Sequence, residues 1–114
     1  MNRLSSLPLE RTLQIIGGRW KGHIVCHLKA GSLRLSELER EIEGISQKVL
    51  IQQLRDLEEH GVVCRNVRAQ VPARVDYRLT PLGEDLLPLL GELHRWGLTH
   101  GRATGDRLTI CGDT

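Results

Sequence analysis

Lys48, Gln52 and Arg55 recur at helical spacing within residues 46–61, where the chain reads Ser-Gln-Lys-Val-Leu-Ile-Gln-Gln-Leu-Arg-Asp-Leu-Glu-Glu-His-Gly. If this stretch is a helix, the three share one face, with Gln47 and Ile51 on its flank. Leu50, Leu54 and Leu57 fall on the other face at i, i+4, i+7, a stripe that needs burial. The polar face holds long donors, amides and one apolar group, and it meets few acids before Glu58 and Glu59. These are the groups that read duplex DNA in the major groove: Lys or Arg for guanine edges and phosphates, Gln for adenine, an apolar side chain for the thymine methyl. An ordinary solvated helix face has the same composition, so the surrounding elements must decide between the two.

Those elements begin with the caps. Ser46 can accept a hydrogen bond from a free amide of the first turn, and Gly61 can take the left-handed conformation that closes a helix. Upstream, Ser36 followed by Glu39 has capping-box spacing, which predicts a helix from about Glu37 to Ile42. A short turn, Glu43-Gly44-Ile45, joins it to the next helix, so the pair forms a helix-turn-helix. Two helices come before it. Leu9, Leu13 and Ile16 mark one over residues 9–16, and Trp20, Ile24 and Leu28 mark a second over 19–28, expected to be the most buried. After Gly61 the period drops to two. Residues 62–68 and 74–79 alternate apolar and polar and predict a two-stranded hairpin with a basic tip. It carries Arg65, Arg68, Arg74 and Arg78 against one acid, Asp76. A basic hairpin after a helix-turn-helix is a wing, and Arg65, Arg68 and Arg74 are its candidate backbone contacts. Ser36 and Ser46, at the starts of the paired helices, complete the candidate DNA-binding set.

Thr80-Pro81 predicts the start of one last helix, through about Leu98, bent at Pro88. Leu82, Leu86, Leu89, Leu93 and Trp96 form one apolar stripe on it, and Leu87, Leu90 and Leu98 a second. So wide an apolar surface calls for a partner, most simply a second copy about a two-fold axis. Leu9, Leu13, Leu86, Leu89, Leu90, Leu93 and Trp96 are the candidate dimerisation residues.

With 114 residues, the chain has room for one core. It is expected to divide into a flexible N-terminal arm (1–8), one mainly α domain with a small β-hairpin (9–100, an α+β class), and a flexible tail (101–114). It has no Phe, one Tyr and two Trp, so Leu, Ile and Val must build the core, and no aromatic platform exists to stack single-stranded bases. A net charge of +2 excludes little. Three widely spaced cysteines, Cys26, Cys64 and Cys111, without an apolar leader or a membrane-length run, predict a reduced, cytoplasmic protein. His23 and His27 at i, i+4 beside Cys26 could ligate a metal, but no third and fourth ligand follow in a recognisable pattern, so packing or surface histidines are expected and no metal. Cys64 is the candidate redox residue, because Arg65 beside it would favour the thiolate, whereas Cys26 should be buried and unreactive. No Ser/His/Asp or Cys/His grouping, phosphate loop or carboxylate pair suggests an enzyme, and no cofactor is expected.

Gly18-Arg19-Trp20-Lys21, Arg34-Leu35-Ser36-Glu37-Leu38, Gly44-Ile45-Ser46-Gln47-Lys48 and Pro72-Ala73-Arg74-Val75-Asp76-Tyr77-Arg78-Leu79-Thr80-Pro81-Leu82-Gly83 resemble, in order, the HxlR-type winged helix-turn-helix regulators. The resemblance spans about residues 9–97. It implies a prokaryotic, non-enzymatic transcription regulator that dimerises through its terminal helices and sets one helix of each subunit into a major groove of double-stranded operator DNA. The sequence departs from the pattern in places. Leu7 stands where thiol-sensing members carry Cys, Asp76 where Glu is usual, and Ala73 where a second Pro is usual. A sequence-specific repressor is the first expectation. A winged-helix module that binds protein, and a metal- or electrophile-responsive sensor of the same fold, are the alternatives, with a small-molecule or electrophile effector left open.

Overall fold

The computed structural model describes residues 3–109. Pro8 occupies the first turn of α1 (Pro8–Ile16), where its missing N–H costs nothing, so the helix starts one residue before its first periodic leucine. The preceding segment folds back on it: the Ser5 amide donates to Gln14 Oε1 at 2.7 Å, and an Arg11 guanidinium nitrogen to the Ser5 carbonyl at 3.0 Å. In α2 (Lys21–His27), Ile24 and Val25 are fully buried.

Next comes an element without a signature in the sequence, β1 (Leu33–Arg34), too short to show a period. It leads straight into α3 (Leu35–Glu41), which therefore begins two residues earlier than the Ser36–Glu39 spacing indicated. The extended backbone of β1 ends at Arg34 (φ −84°, ψ 162°), so the break into helix falls there and Arg34 is the cap residue. Its amide donates to Glu37 Oε1 at 2.8 Å. This is the return half of a capping box; a guanidinium has no acceptor to supply the other half. Ser36 is thus not the cap, and it lies exposed in the first turn.

The helix-turn-helix continues into α4 (Gln47–Glu59), whose Ser46 Oγ accepts from the Val49 amide at 3.2 Å. Gly61, at φ +76°, follows the last turn in the left-handed region, as expected there. The wing strands are β2 (Val63–Arg68) and β3 (Arg74–Leu79), paired antiparallel from Val63↔Leu79 to Arg68↔Arg74. The expected two-stranded hairpin is in fact two-thirds of a sheet, order β1-β3-β2, with Leu33 opposite Tyr77 and Arg34 opposite Asp76.

The single predicted C-terminal helix is two. Thr80 caps α5 (Pro81–Glu84), its Oγ1 accepting from the Gly83 amide at 3.0 Å and donating to the Gly61 carbonyl, and α6 (Leu86–Thr104) starts anew after Asp85. Pro88 therefore sits in the first turn of α6, where helix amides lack partners, and it does not bend a continuous helix. Gly83 is buried where α5 crosses the start of β2; a methyl there would overlap the Val62 carbonyl oxygen. α6 also extends to Thr104, past the predicted boundary at residue 100. Residues 1–2 of the predicted arm and 110–114 of the predicted tail, Cys111 included, lie outside the described residues.

The core is aliphatic apart from Tyr77: Ile24, Val25 and Leu28 of the α2 region, Leu38 of α3, Leu50, Leu54 and Leu57 of α4, then Val62, Val63 and Leu79. Each such side chain contributes roughly 1.5–3 kcal/mol by leaving water. No described helix is long and apolar enough to cross a membrane.

Candidate nucleic-acid interface

Burying Leu50, Leu54 and Leu57 forces the other side of α4 outward. Gln47, Lys48, Gln52 and Arg55 are all exposed on it, with Ser46 exposed at the N-terminus and Ile51 half-buried at the edge of the face. Ion pairs hold the far end of the helix. Lys21 Nζ lies 3.4 Å from Asp56 Oδ2, and Arg65 Nε 3.9 Å from Glu58 Oε2. Among the described residues, Lys48 and Arg55 take part in none of the ion pairs that engage Lys21, His27, Arg65, Arg68, Arg74 and Arg95. Both cations stay available to an anion from outside.

The wing sorts its arginines by strand alternation. Arg65, opposite Tyr77, is on the core-side face and reaches Glu58. Burial pushes the Tyr77 phenol above its ordinary pKa, and the nearby Arg65 charge partly offsets this. Cys64, Asn66 and Arg68 are on the outer face, opposite Arg78, Asp76 and Arg74. Arg68 Nε and Arg74 Nε approach the same Asp76 oxygen, Oδ2, at 3.4 and 3.9 Å. Each of the three wing arginines expected as backbone contacts is thus near a carboxylate of its own chain. Asp76, an isolated acid in the sequence pattern, is only 2% exposed. Arg34 joins this outer face through β1, opposite Asp76, and Arg78 lies exposed beyond it. Neither was singled out as a contact: Arg34 gives no local signal for β1, while Arg78 was visible in the alternation.

Cys64 is half-buried in β2. Its sequence neighbour Arg65 points to the opposite face, so the arginine on the thiol's own side is the cross-strand residue Arg78. Cys26 corrects an expectation: it is exposed, because the buried stripe of α2 is Ile24 and Val25. It lines a cavity of about 480 Å³ between α2 and α6, together with His23, His94, Leu87 and Leu90. His27 Nδ1 is 3.3 Å from Glu41 Oε1. No three His, Cys, Asp or Glu side chains converge as a metal site among the described residues.

The candidate dimerisation residues divide. Leu86 and Leu90 pack, with Leu87, against the chain's own core. Leu9 and Leu13 on α1, and Leu89, Leu93 and Trp96 on α6, remain exposed, with the Trp96 indole, 64% exposed, stacked on His100 at 5.3 Å.

Comparison with known proteins places this geometry among regulators. A model described as HxlR-like helix-turn-helix matches residues 15–104. The chain is 45% identical over 106 residues to the uncharacterised HTH-type transcriptional regulator YtcD of Bacillus subtilis, covering 92% of this chain and 84% of that one. It is 50% identical over 92 residues to YkvN of the same organism, another uncharacterised HTH-type transcriptional regulator, covering 81% of this chain and 78% of that one. Among solved structures, the redox regulator HypR in its reduced form superposes with a TM-score of 0.77 at 42% identity, over 83% of this chain and 93% of that chain.

Proposed function

Because the chain belongs to the HxlR-like helix-turn-helix family, whose similar members are transcriptional regulators, we propose that it represses transcription by binding a pseudo-palindromic operator as a homodimer. The observation that carries this reading is the outward face of α4, where Lys48 and Arg55 are exposed without an ion pair among the described residues and Gln47 and Gln52 stand beside them. Such a face fits a major groove. Ser46 and Ser36, at the starts of α4 and α3, can donate to the flanking phosphates, Ile51 can meet a thymine methyl, and Arg65, Arg68 and Arg74 supply the wing's backbone contacts. Residues 8–104 act as one unit in this reading, with α1 and α6 joining two copies through Leu9, Leu13, Leu89, Leu93 and Trp96. Two recognition helices about 34–36 Å apart then fall into consecutive major grooves. Repression is the simplest output, since a dimer spanning both grooves blocks other occupants of that DNA.

The test is a gel shift with the DNA upstream of the protein's own gene in excess nonspecific competitor. A retained complex supports the reading; equal displacement by competitor and by specific DNA overturns it. A second reading adds an electrophile effector, favoured by the half-buried Cys64 at the base of the wing. Diamide should release the parent from DNA and leave Cys64→Ser bound, and release of both would exclude Cys64.

A further inference from the structure

We propose that Asp76 is a positioning residue that gathers Arg68 and Arg74 into a two-cation seat for one backbone phosphate of DNA at the neck of the wing. The inference rests on the DNA-binding reading above and assigns to two arginines and one acid a joint task. Arg68 and Arg74 are directly opposite each other in the β2–β3 register, so both side chains rise from the same face of the hairpin. One step further into the sheet, on that face, is Asp76. For both arginines the nitrogen nearest its Oδ2 is Nε, at 3.4 and 3.9 Å. Each guanidinium thus turns its inner edge to the acid. The terminal Nη groups, the pair suited to a phosphate, are not the atoms that make that contact. The side chains are 52% and 39% exposed, while that of Asp76 is 2% exposed.

Charge and satisfaction support the same conclusion. Two guanidinium groups and one carboxylate leave this cluster one positive charge in excess, which a phosphodiester monoanion would neutralise. Among the described residues, no hydrogen bond reaches Asp76 Oδ1 or Oδ2, or Arg74 Nε. A buried carboxylate without hydrogen bonds is a poor device for stability. It is a good device for holding two like charges side by side, which would otherwise repel. An anion on the outer side would draw the arginines together and tighten their inner contacts with Asp76.

This predicts a sign. Removing a negative charge near DNA should by Coulomb attraction alone strengthen binding. If Asp76 positions the arginines, Asp76→Asn should instead weaken it, about tenfold, the size of one charge-assisted contact. Asp76→Glu, which restores the carboxylate, should recover most of the loss. In the arginine cycle, Arg68→Ala and Arg74→Ala should each lose about tenfold, and the double variant scarcely more than either. Its salt slope should fall by about one unit, for one phosphate given up, where two separate contacts would give about two. These are measured by fluorescence anisotropy on operator DNA across a salt series, with thermal unfolding run on every variant. Asp76→Asn binding as tightly as the parent, or tighter, overturns the proposal, and so does a double variant whose loss is the product of the single losses. Should Asp76→Asn fail to fold, the arginine cycle decides alone, since both side chains are largely outside the core. A parent protein that binds no operator brings down the DNA-binding reading and this proposal together, whereas a parent that binds with an additive cycle brings down only the proposal.

Discussion

Gln52 is the residue whose loss should be most specific, since its amide stands exposed in the middle of the outward face of α4. Replacing it with Ala removes a donor and an acceptor without touching the core. Gln52→Ala should relax preference at one position of each half-site, by about 1–3 kcal/mol, and leave affinity for random DNA nearly unchanged. Selection of preferred sites by parent and variant from a randomised library checks this; identical motifs would remove Gln52 from the readers. Two residues on and on the opposite face, Leu54 is 1% exposed, so Leu54→Ala should cost about 2–5 kcal/mol of stability in a denaturant titration while the motif stays the same. The contrast between the two separates reading from scaffolding within one helix.

At the scale of elements, the junction of α4, β2 and α5 is closely packed. Thr80 both caps α5 and donates to the Gly61 carbonyl, and Gly83 lets α5 touch the Val62 carbonyl. Thr80→Val loses the cap and should cost about 1–2 kcal/mol. Gly83→Ala must push α5 away from β2 and should cost about 1–3 kcal/mol or more by overpacking, read as a lower midpoint in urea. What the sequence disclosed here was local. The Leu50, Leu54, Leu57 spacing, the Ser46 cap and the Gly61 stop each depend on residues within a few positions, and α4 with its outward face emerged intact. Pairing across the chain left no such trace. β1 is two residues without a period, and the arginines that meet Asp76, Arg68 and Arg74, are brought beside it by strand pairing, so the third strand and the acid's surroundings were both illegible. The same holds for the last helix: the Thr80-Pro81 cap was legible, but the restart after Asp85, which turns Pro88 into a first-turn residue, carries no cap signal of its own, since Asp85 makes no side-chain cap hydrogen bond.

For the whole molecule, the exposed leucines of α1 and α6 are the surface whose burial would make two copies one regulator. Leu89 and Leu93 sit one turn apart on α6, with Trp96 one turn further on. Leu89→Asp with Leu93→Asp would put two carboxylates into the proposed interface, and sedimentation should then report a monomer. A double variant that still sediments as a dimer would move the interface elsewhere. Because neither side chain belongs to the buried core, the monomer should remain folded. Its affinity for a single half-site should stay near that of one subunit, while affinity for the full operator should fall by a factor of about 10² or more as the second contact ceases to be intramolecular.

α4 also carries its charges the wrong way round for a helix. Lys48 sits in its first turn, which holds no acid, and Glu58 and Glu59 sit in its last, which holds no base. The peptide dipole makes the first end positive and the last end negative, so these side chains oppose it at both ends. At the acidic end, Arg65 and Lys21 come from neighbouring elements to Glu58 and Asp56 and relieve the conflict. At the basic end the missing counter-charge is the kind that a DNA phosphate brings. Lys48→Glu should therefore stabilise the free protein, by about 0.3–1 kcal/mol, in the same step that drives it off DNA. A helix tuned in this way is less stable alone than it could be, and what it gives up in solution it recovers when an anion arrives.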